Sequence, residues 1–140
     1  MREILFRGKC ADNYKNSGKW AEGYLLRFTE KRNPFIMLKD GGGECVEVIP
    51  ESVGQYTGLT DKNGKKVFEG DILSAHFDES YPDDETLLLV GNNGYAFTLK
   101  EEDSEPEMIE NSDMRFFDET FVVIGNVHDN PELLKGEKNA

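Results

Sequence analysis

Two cysteines and two histidines are the side chains of this sequence best suited to nucleophilic catalysis or zinc binding, and they stand far apart. The cysteines are Cys10 and Cys45, and the histidines are His76 and His128. Structural zinc sites take four ligands, usually as two closely spaced pairs, which this pattern does not offer. The spacing leaves open a nucleophile–base pair of a cysteine and a histidine, but no adjacent motif supports one. We therefore predict no catalytic residue, no metal site and no cofactor, and two free thiols that pack in the core.

Carboxylates are the abundant chemical groups, because the 140-residue chain has 28 acidic and 16 basic side chains and a formal net charge of −12. They concentrate in two clusters, at about residues 78–85 and 100–113. Oxygen ligands of this kind bind Ca²⁺ or Mg²⁺, but the spacing lacks the ligand pattern of an EF-hand loop. Like charges in a cluster repel each other and are costly to bury. We expect two exposed acidic loops that aid solubility or dock a basic partner.

The charge is distributed unevenly along the chain, and this bears on two alternative functions. Residues 1–70 carry 12 basic and 10 acidic side chains, whereas residues 71–140 carry 4 and 18. Nucleic-acid affinity comes from Lys and Arg that neutralise phosphates, so binding to nucleic acid is disfavoured. A weak nucleic-acid site in the first half stays open through the basic residues Arg2, Arg7, Lys9, Lys15 and Lys19. The other alternative is a metal-assisted hydrolase that uses the carboxylates near Asp71, which requires these acids to face one pocket.

Short apolar segments separated by turn residues predict a mainly β protein. Strands are expected at residues 4–6, 20–28, 35–38, 45–49, 72–77, 86–90, 95–99, 114–117 and 121–127. Asn63-Gly64 and Glu69-Gly70-Asp71 are typical of tight turns, and Asn130-Pro131 predicts the start of a short C-terminal helical turn. Strands spaced at about ten residues favour a barrel or a sandwich. The chain has no internal linker, which predicts one domain over residues 1–134 and a disordered tail over residues 135–140.

Three parts of the chain resemble a known family. The first comprises residues 1–9 (MREILFRGK) and 18–24 (GKWAEGY), the second residues 49–72 (IPESVGQYTGLTDKNGKKVFEGDI), and the third residues 123–134 (VIGNVHDNPELL). In this order and across the whole chain, they are similar to the YopX family of phage and prophage proteins. The resemblance implies a small SH3-like barrel, here with added hairpins. Because the family has no established activity, it provides no catalytic residues that could be carried over to this chain. The acidic loops lie between residues 74 and 121, where no motif of the family matches.

The second of these parts holds the residues that we expect to form a binding groove at one edge of the barrel, since small barrels often bind partners across an aromatic-lined groove. These residues are Gln55, Tyr56, Thr57, Glu69 and Asp71. Their glycine-rich and aromatic surroundings also suit a purely structural role. The function predicted is that of a non-enzymatic phage or prophage accessory protein, which binds a basic host or phage protein or assembles with itself. No segment predicts a membrane span or a signal peptide, so we expect the protein in the cytoplasm of the bacterial host.

Overall fold

The computed structural model describes residues 4–11, 19–26, 33–76, 84–94, 96–101, 104–109 and 117–134. Its regular structure is almost entirely extended, which confirms the prediction of a mainly β protein. The strands are β1 (Phe6–Lys9), β2 (Trp20–Leu26), β3 (Phe35–Leu38), β4 (Cys45–Glu47), β5 (Gly54–Thr60), β6 (Lys66–Phe68), β7 (Asp71–Ala75), β8 (Thr86–Asn92), β9 (Phe97–Glu101), β10 (Glu107–Met108) and β11 (Phe121–Asn126). Short helical segments lie at Pro50–Ser52 and at residues 117–120 and 132–134, the last of these being the expected C-terminal turn.

The strands form two antiparallel sheets. One has the order β4-β3-β2-β1-β5-β6, and the other has the order β10-β9-β8-β7-β11. The described residues do not form a closed barrel, so the SH3-like detail of the predicted fold is not established. The chain divides into two compact units, Met1–Tyr56 (unit 1) and Thr57–Ala140 (unit 2). The single domain expected over residues 1–134 stays a prediction.

Unit 1 is built around a small apolar core. Its buried members are Cys10, Ala21, Ile36, Val46 and Val48. Since alternate residues of a strand point to opposite faces, these positions define the inner face of β2, β3 and β4. A Cβ atom at Gly23 would overlap the backbone oxygen of Met37, so close pairing of β2 with β3 requires glycine there. An isolated bridge between Cys10 and Val48 joins the end of β1 to the residue that follows β4.

The two cysteines lie in different environments. Both are free thiols, and Cys10 is only 3% exposed and packs in the core of unit 1, as expected. Cys45 is exposed, so the expectation of a second thiol in the core is wrong. The reason is the alternation of side chains along β4, in which Val46 takes the buried position and its neighbour Cys45 faces the other way.

Unit 2 has a larger core, and every residue of β7 is buried. The buried members are Val67, Leu73, Ala75, Leu88, Val90, Phe117 and Phe121. The ring centroids of Phe117 and Phe121 are 4.5 Å apart. Phe117 is helical, so the strand expected over residues 114–117 is wrong at this residue, while residues 114–116 lie outside the described part. A helical turn places side chains four positions apart on one face, which brings both rings into the same core.

The acidic loops and the tail are described only in part. Of the first acidic cluster, residues 84 and 85 are described and exposed, and the rest lies outside the described ranges. Of the second, residues 100–101 and 104–109 are described, and all of them except the half-buried Ile109 are exposed. The tail expected at residues 135–140 also lies outside these ranges. Within the described chain, no helix combines the length and the apolar character that crossing a membrane requires.

Candidate functional site

The five residues expected to line a groove are distributed over both units. Gln55 and Tyr56 belong to unit 1, whereas Thr57, Glu69 and Asp71 belong to unit 2. Gln55 and Glu69 are half-buried, and the other three are buried. The groove as a shared site therefore stays a prediction.

Two of the five residues support the local backbone of unit 2. Thr57 and Asp71 are each only 1% exposed. The Thr57 hydroxyl donates to the carbonyl oxygen of Val67 at 2.8 Å, and Asp71 Oδ2 accepts a hydrogen bond from the backbone N–H of Phe68 at 2.8 Å. Buried polar groups are tolerated when they are hydrogen-bonded in this way. The Thr57 contact ties β5 to β6, and the Asp71 contact organises the turn between β6 and β7 and directs this carboxylate inward.

Asp61 is a buried carboxylate that no motif in the sequence marks as functional, and it stabilises the turn between β5 and β6. It is 2% exposed. Its Oδ1 accepts hydrogen bonds from the backbone N–H groups of Asn63 at 2.9 Å and Lys65 at 2.8 Å. Its Oδ2 accepts one from the backbone N–H of Val123 at 2.9 Å. The Asn-Gly turn expected here is present, since Gly64 has a φ of +81°.

A second turn is organised by asparagine side chains at the end of β11. Asn126 Oδ1 accepts hydrogen bonds from the backbone N–H groups of His128 at 3.0 Å and Asp129 at 2.9 Å. Asn130 Oδ1 accepts one from the backbone N–H of Asn126 at 3.2 Å. A Cβ atom at Gly125 would lie 2.6 Å from that same oxygen, so the turn needs glycine at this position. Asn126 and Asn130 thus order this turn of the backbone.

Unit 2 also contains a concave pocket of about 240 Å³ that the sequence did not predict. Its apolar lining comes from Leu88, Leu99, Met108 and Phe121. Leu88 and Phe121 are buried core residues, whereas the Met108 side chain is 56% exposed. A floor of this kind gives apolar contact to the aliphatic part of a ligand.

The rim of the pocket is acidic. Glu101, Glu105 and Glu107 line it, and all three side chains are exposed to solvent. The cross-strand pairs Leu88–Glu101 and Leu99–Glu107 place an apolar residue and a glutamate side by side on one sheet face. Unit 2 carries 7 basic and 20 acidic side chains, a net charge of −13. The electrostatic field of the whole unit therefore adds to the negative potential at the rim. The pocket therefore favours a ligand with an aliphatic stem and a positive end, such as a lysine or arginine side chain.

Two observations bear on metal and thiol chemistry in the described part of the chain. Within the described ranges, no group of three or more His, Cys, Asp or Glu side chains is arranged to hold a metal ion. Burial raises the pKa of the Cys10 thiol, although the positive charge of Lys19 opposes this shift. Because the thiolate is the reactive form, a raised pKa disfavours Cys10 as a nucleophile.

Among the basic residues of the first half that the structure describes, Arg7 and Lys9 lie beside an acidic and an aromatic side chain. Arg2 and Lys15 lie outside the described residues. On β1, Arg7 pairs across the sheet with Glu22, and Lys9 pairs with Trp20. The Arg7 guanidinium lies over the Trp20 ring, 4.8 Å from its centroid. These contacts stabilise the hairpin and leave an acidic residue among the basic ones.

Comparison with known proteins identifies the family. The sequence model of the family described as "YopX protein" matches residues 7–135, which is nearly the whole chain. The chain belongs to the YopX family. This confirms the resemblance seen in the sequence, and the blocks that carry it include the turns ordered by Asp61 and Asn126.

Among solved structures, this YopX chain is similar to protein EF1440 from Enterococcus faecalis. The sequence identity is 24% and the TM-score is 0.59, and the match covers 96% of this chain and 99% of EF1440. At that identity, the likeness shows a common fold alone. No curated protein matches the sequence.

Proposed function

We propose that this YopX protein is a non-enzymatic module that binds a basic segment of another protein through the acidic-rimmed pocket of unit 2. The single observation that carries the proposal is the combination of an apolar floor, with Leu88 and Phe121, and a glutamate rim in one concavity. A lysine or arginine side chain of the partner lies with its aliphatic stem on the floor. Its charged end then meets the carboxylates of the rim.

The charge of unit 2 supports a basic partner. A net charge of −13 in one unit steers positively charged partners toward it and repels acidic ones. Rim glutamates that stay partly hydrated contribute mainly to the association rate and to specificity. The interaction is therefore expected to weaken as the ionic strength rises.

The finer predictions from the sequence belong to this proposal. The accessory role in phages and prophages, in the cytoplasm of a bacterial host, is part of the proposal because the resemblance to the YopX family implies it. For the SH3-like barrel, the support is the bridge between Cys10 and Val48 in unit 1, which brings the end of β1 to the end of β4. The alternatives of a metal-assisted hydrolase near Asp71 and of a weak nucleic-acid site stay predictions.

A comparison of two charge variants tests the proposal. The pocket variant carries Glu101→Gln, Glu105→Gln and Glu107→Gln, and the control carries Asp118→Asn, Glu119→Gln and Glu132→Gln. The control acids are exposed and do not line the pocket, and both variants change the net charge by the same amount. Each protein is immobilised and exposed to a bacterial lysate at low and at high salt, and the retained proteins are identified by mass spectrometry.

The expected result is a basic protein that the wild type and the control variant retain at low salt. The pocket variant should retain it roughly tenfold more weakly, because three ion pairs are lost. Equal retention by the pocket and control variants would show that the pocket is not the binding site. If the immobilised wild type retains only further copies of its own chain, the result would instead support self-assembly.

A further inference from the structure

The pocket lies at the edge of a sheet, where the backbone itself can bind a partner. Among the described strands, β10 is the outermost of the five-stranded sheet and pairs with β9 alone. The register pairs Glu107 with Leu99 and Met108 with Thr98, and the backbone N–H of Ile109 donates to the oxygen of Phe97 at 3.1 Å. In an antiparallel pair, hydrogen-bonded and non-hydrogen-bonded positions alternate. The N–H and C=O groups of Met108 therefore point away from β9, toward the outside of the sheet.

The opposite edge of the same sheet is covered. On β11, the carbonyl oxygen of Phe121 accepts a hydrogen bond from the backbone N–H of Lys62 at 2.8 Å. The N–H of Val123 donates to the Asp61 carboxylate at 2.9 Å. The residues that precede the Asn63-Gly64 turn thus satisfy the outer groups of β11, as proteins commonly do to protect an edge strand. For Met108, the described residues provide no equivalent cover.

Side chains at the β10 edge determine which strand can pair there. Glu107 and Met108 are consecutive and point to opposite faces, yet both line the pocket, which places the pocket against the edge of β10. A strand added at this edge would have alternate side chains on the face that carries Glu107, Leu99 and Glu101. Opposite charges across a strand pair are stabilising, whereas like charges are destabilising. In the antiparallel register that pairs Met108 with Met108 of a second copy, Glu107 would lie opposite Ile109, and the rim carboxylates would meet no basic side chain. Two units that each carry a net charge of −13 also repel each other, so a basic strand fits this edge better than a second copy of β10.

We propose that the basic segment of the partner protein binds as an extra strand on β10, with its backbone paired to Met108 and its alternate lysine or arginine side chains over Glu107 and Glu101. This inference rests on the function proposed above, since it describes how the same pocket takes its ligand. Main-chain hydrogen bonds provide affinity in such strand addition, and the pocket selects the side chains. The partner is thus a protein with an extended segment in which basic and apolar residues alternate.

Labelled synthetic peptides test the mode of binding with the full-length protein. The probe is a short peptide of alternating lysine and valine, and a peptide of alternating glutamate and valine is the charge control. Two further peptides carry N-methyl groups on the backbone, one at every lysine and the other at every valine. Only one of these two sets has its N–H groups directed at β10, because successive backbone groups of a strand point in opposite directions.

Strand addition predicts that one methylated peptide binds at least about tenfold more weakly than the unmodified peptide, while the other keeps most of its affinity. It also predicts that the amide of Met108 exchanges its hydrogen more slowly in the complex. The variant Met108→Pro removes the outward N–H and should weaken binding more than Met108→Ala, which keeps this N–H and loses only part of the apolar lining of the pocket.

The outcomes separate this inference from the function on which it rests. Strand addition alone would be overturned if both methylated peptides bind as tightly as the unmodified peptide while the pocket variant loses binding. Failure of the lysine–valine peptide to bind better than the glutamate–valine peptide would overturn both proposals. The peptide comparison needs no variant protein, so it decides the question even if Met108→Pro does not fold.

Discussion

The Asp61 carboxylate and the Val123 backbone N–H are joined by a 2.9 Å hydrogen bond between residues 62 positions apart. The same carboxylate holds the N–H groups of Asn63 and Lys65. One buried side chain therefore ties the turn between β5 and β6 to the edge of β11. The contact gives the glycine-containing block of the YopX sequence a structural role within unit 2.

Replacing this carboxylate should destabilise the protein strongly. Asp61→Ala removes three hydrogen bonds to a charged acceptor, and we expect a loss of roughly 3 kcal/mol in the free energy of unfolding. Urea denaturation followed by circular dichroism measures the change. Asp84→Ala is the matched control, because the Asp84 side chain is exposed, and its effect should stay within about 0.5 kcal/mol. A comparable loss in both variants would contradict the role assigned to Asp61.

Any side chain at Gly125 should destabilise the turn at the end of β11. In Gly125→Ala the new Cβ atom would lie 2.6 Å from Asn130 Oδ1 and displace it from the N–H of Asn126. We expect a cost of about 1–3 kcal/mol, which is typical of overpacking. A double-mutant cycle with Asn130→Ala tests the cause, because Gly125→Ala should lose less unfolding free energy once the Asn130 oxygen is removed. Additive effects of the two substitutions would rule out this clash.

At Gly64 a substitution should lower the stability through backbone strain and not through a steric clash. Its φ is +81°, and a Cβ atom there would meet nothing within 4 Å. Gly64→Ala should therefore lose about 1 kcal/mol of stability, because an L-residue with a side chain is strained in this region. Gly64→Asn should lose less, since asparagine tolerates the left-handed conformation better than alanine. Thermal or urea unfolding of both variants would reveal the order, and an alanine variant as stable as the wild type would refute the explanation.

The stability of the protein should fall at alkaline pH, in part through Cys10. Burial raises the pKa of this thiol above its ordinary value of 9.0, with Lys19 opposing the shift. The unfolded chain therefore loses the Cys10 proton at a lower pH than the folded chain does, and stability decreases as the pH rises above 9.0. At pH values above the raised pKa of the folded state, the Cys10 thiol is ionised in both states, so its contribution to the loss of stability no longer increases.

Unfolding free energies measured as a function of pH test this linkage. The decline above the ordinary thiol pKa should be shallower in Cys10→Ala than in the wild type. Cys45→Ala, in which an exposed thiol is removed, should keep the wild-type decline. Parallel curves for Cys10→Ala and the wild type would show that Cys10 ionisation is not coupled to folding.

Local chemistry was enough for the sequence to determine the turns and the general class of the fold. Asn63-Gly64 predicts a tight turn because only residues within the turn decide whether a positive φ is tolerated. Alternating apolar residues predict strands for the same reason, since the period of two is a property of a single segment. The family resemblance was also visible in the sequence, and the match over residues 7–135 confirms it.

The tertiary structure alone decided which residues meet. The acidic loop and the apolar strands were visible separately, but the pocket depends on the strand order that brings Glu107 beside Leu99 and Glu101 beside Leu88. In the same way, Asp61 reaches Val123 only because β11 returns to this edge of the sheet. Such contacts depend on the register between paired strands, and a shift of one residue would turn each side chain to the other face.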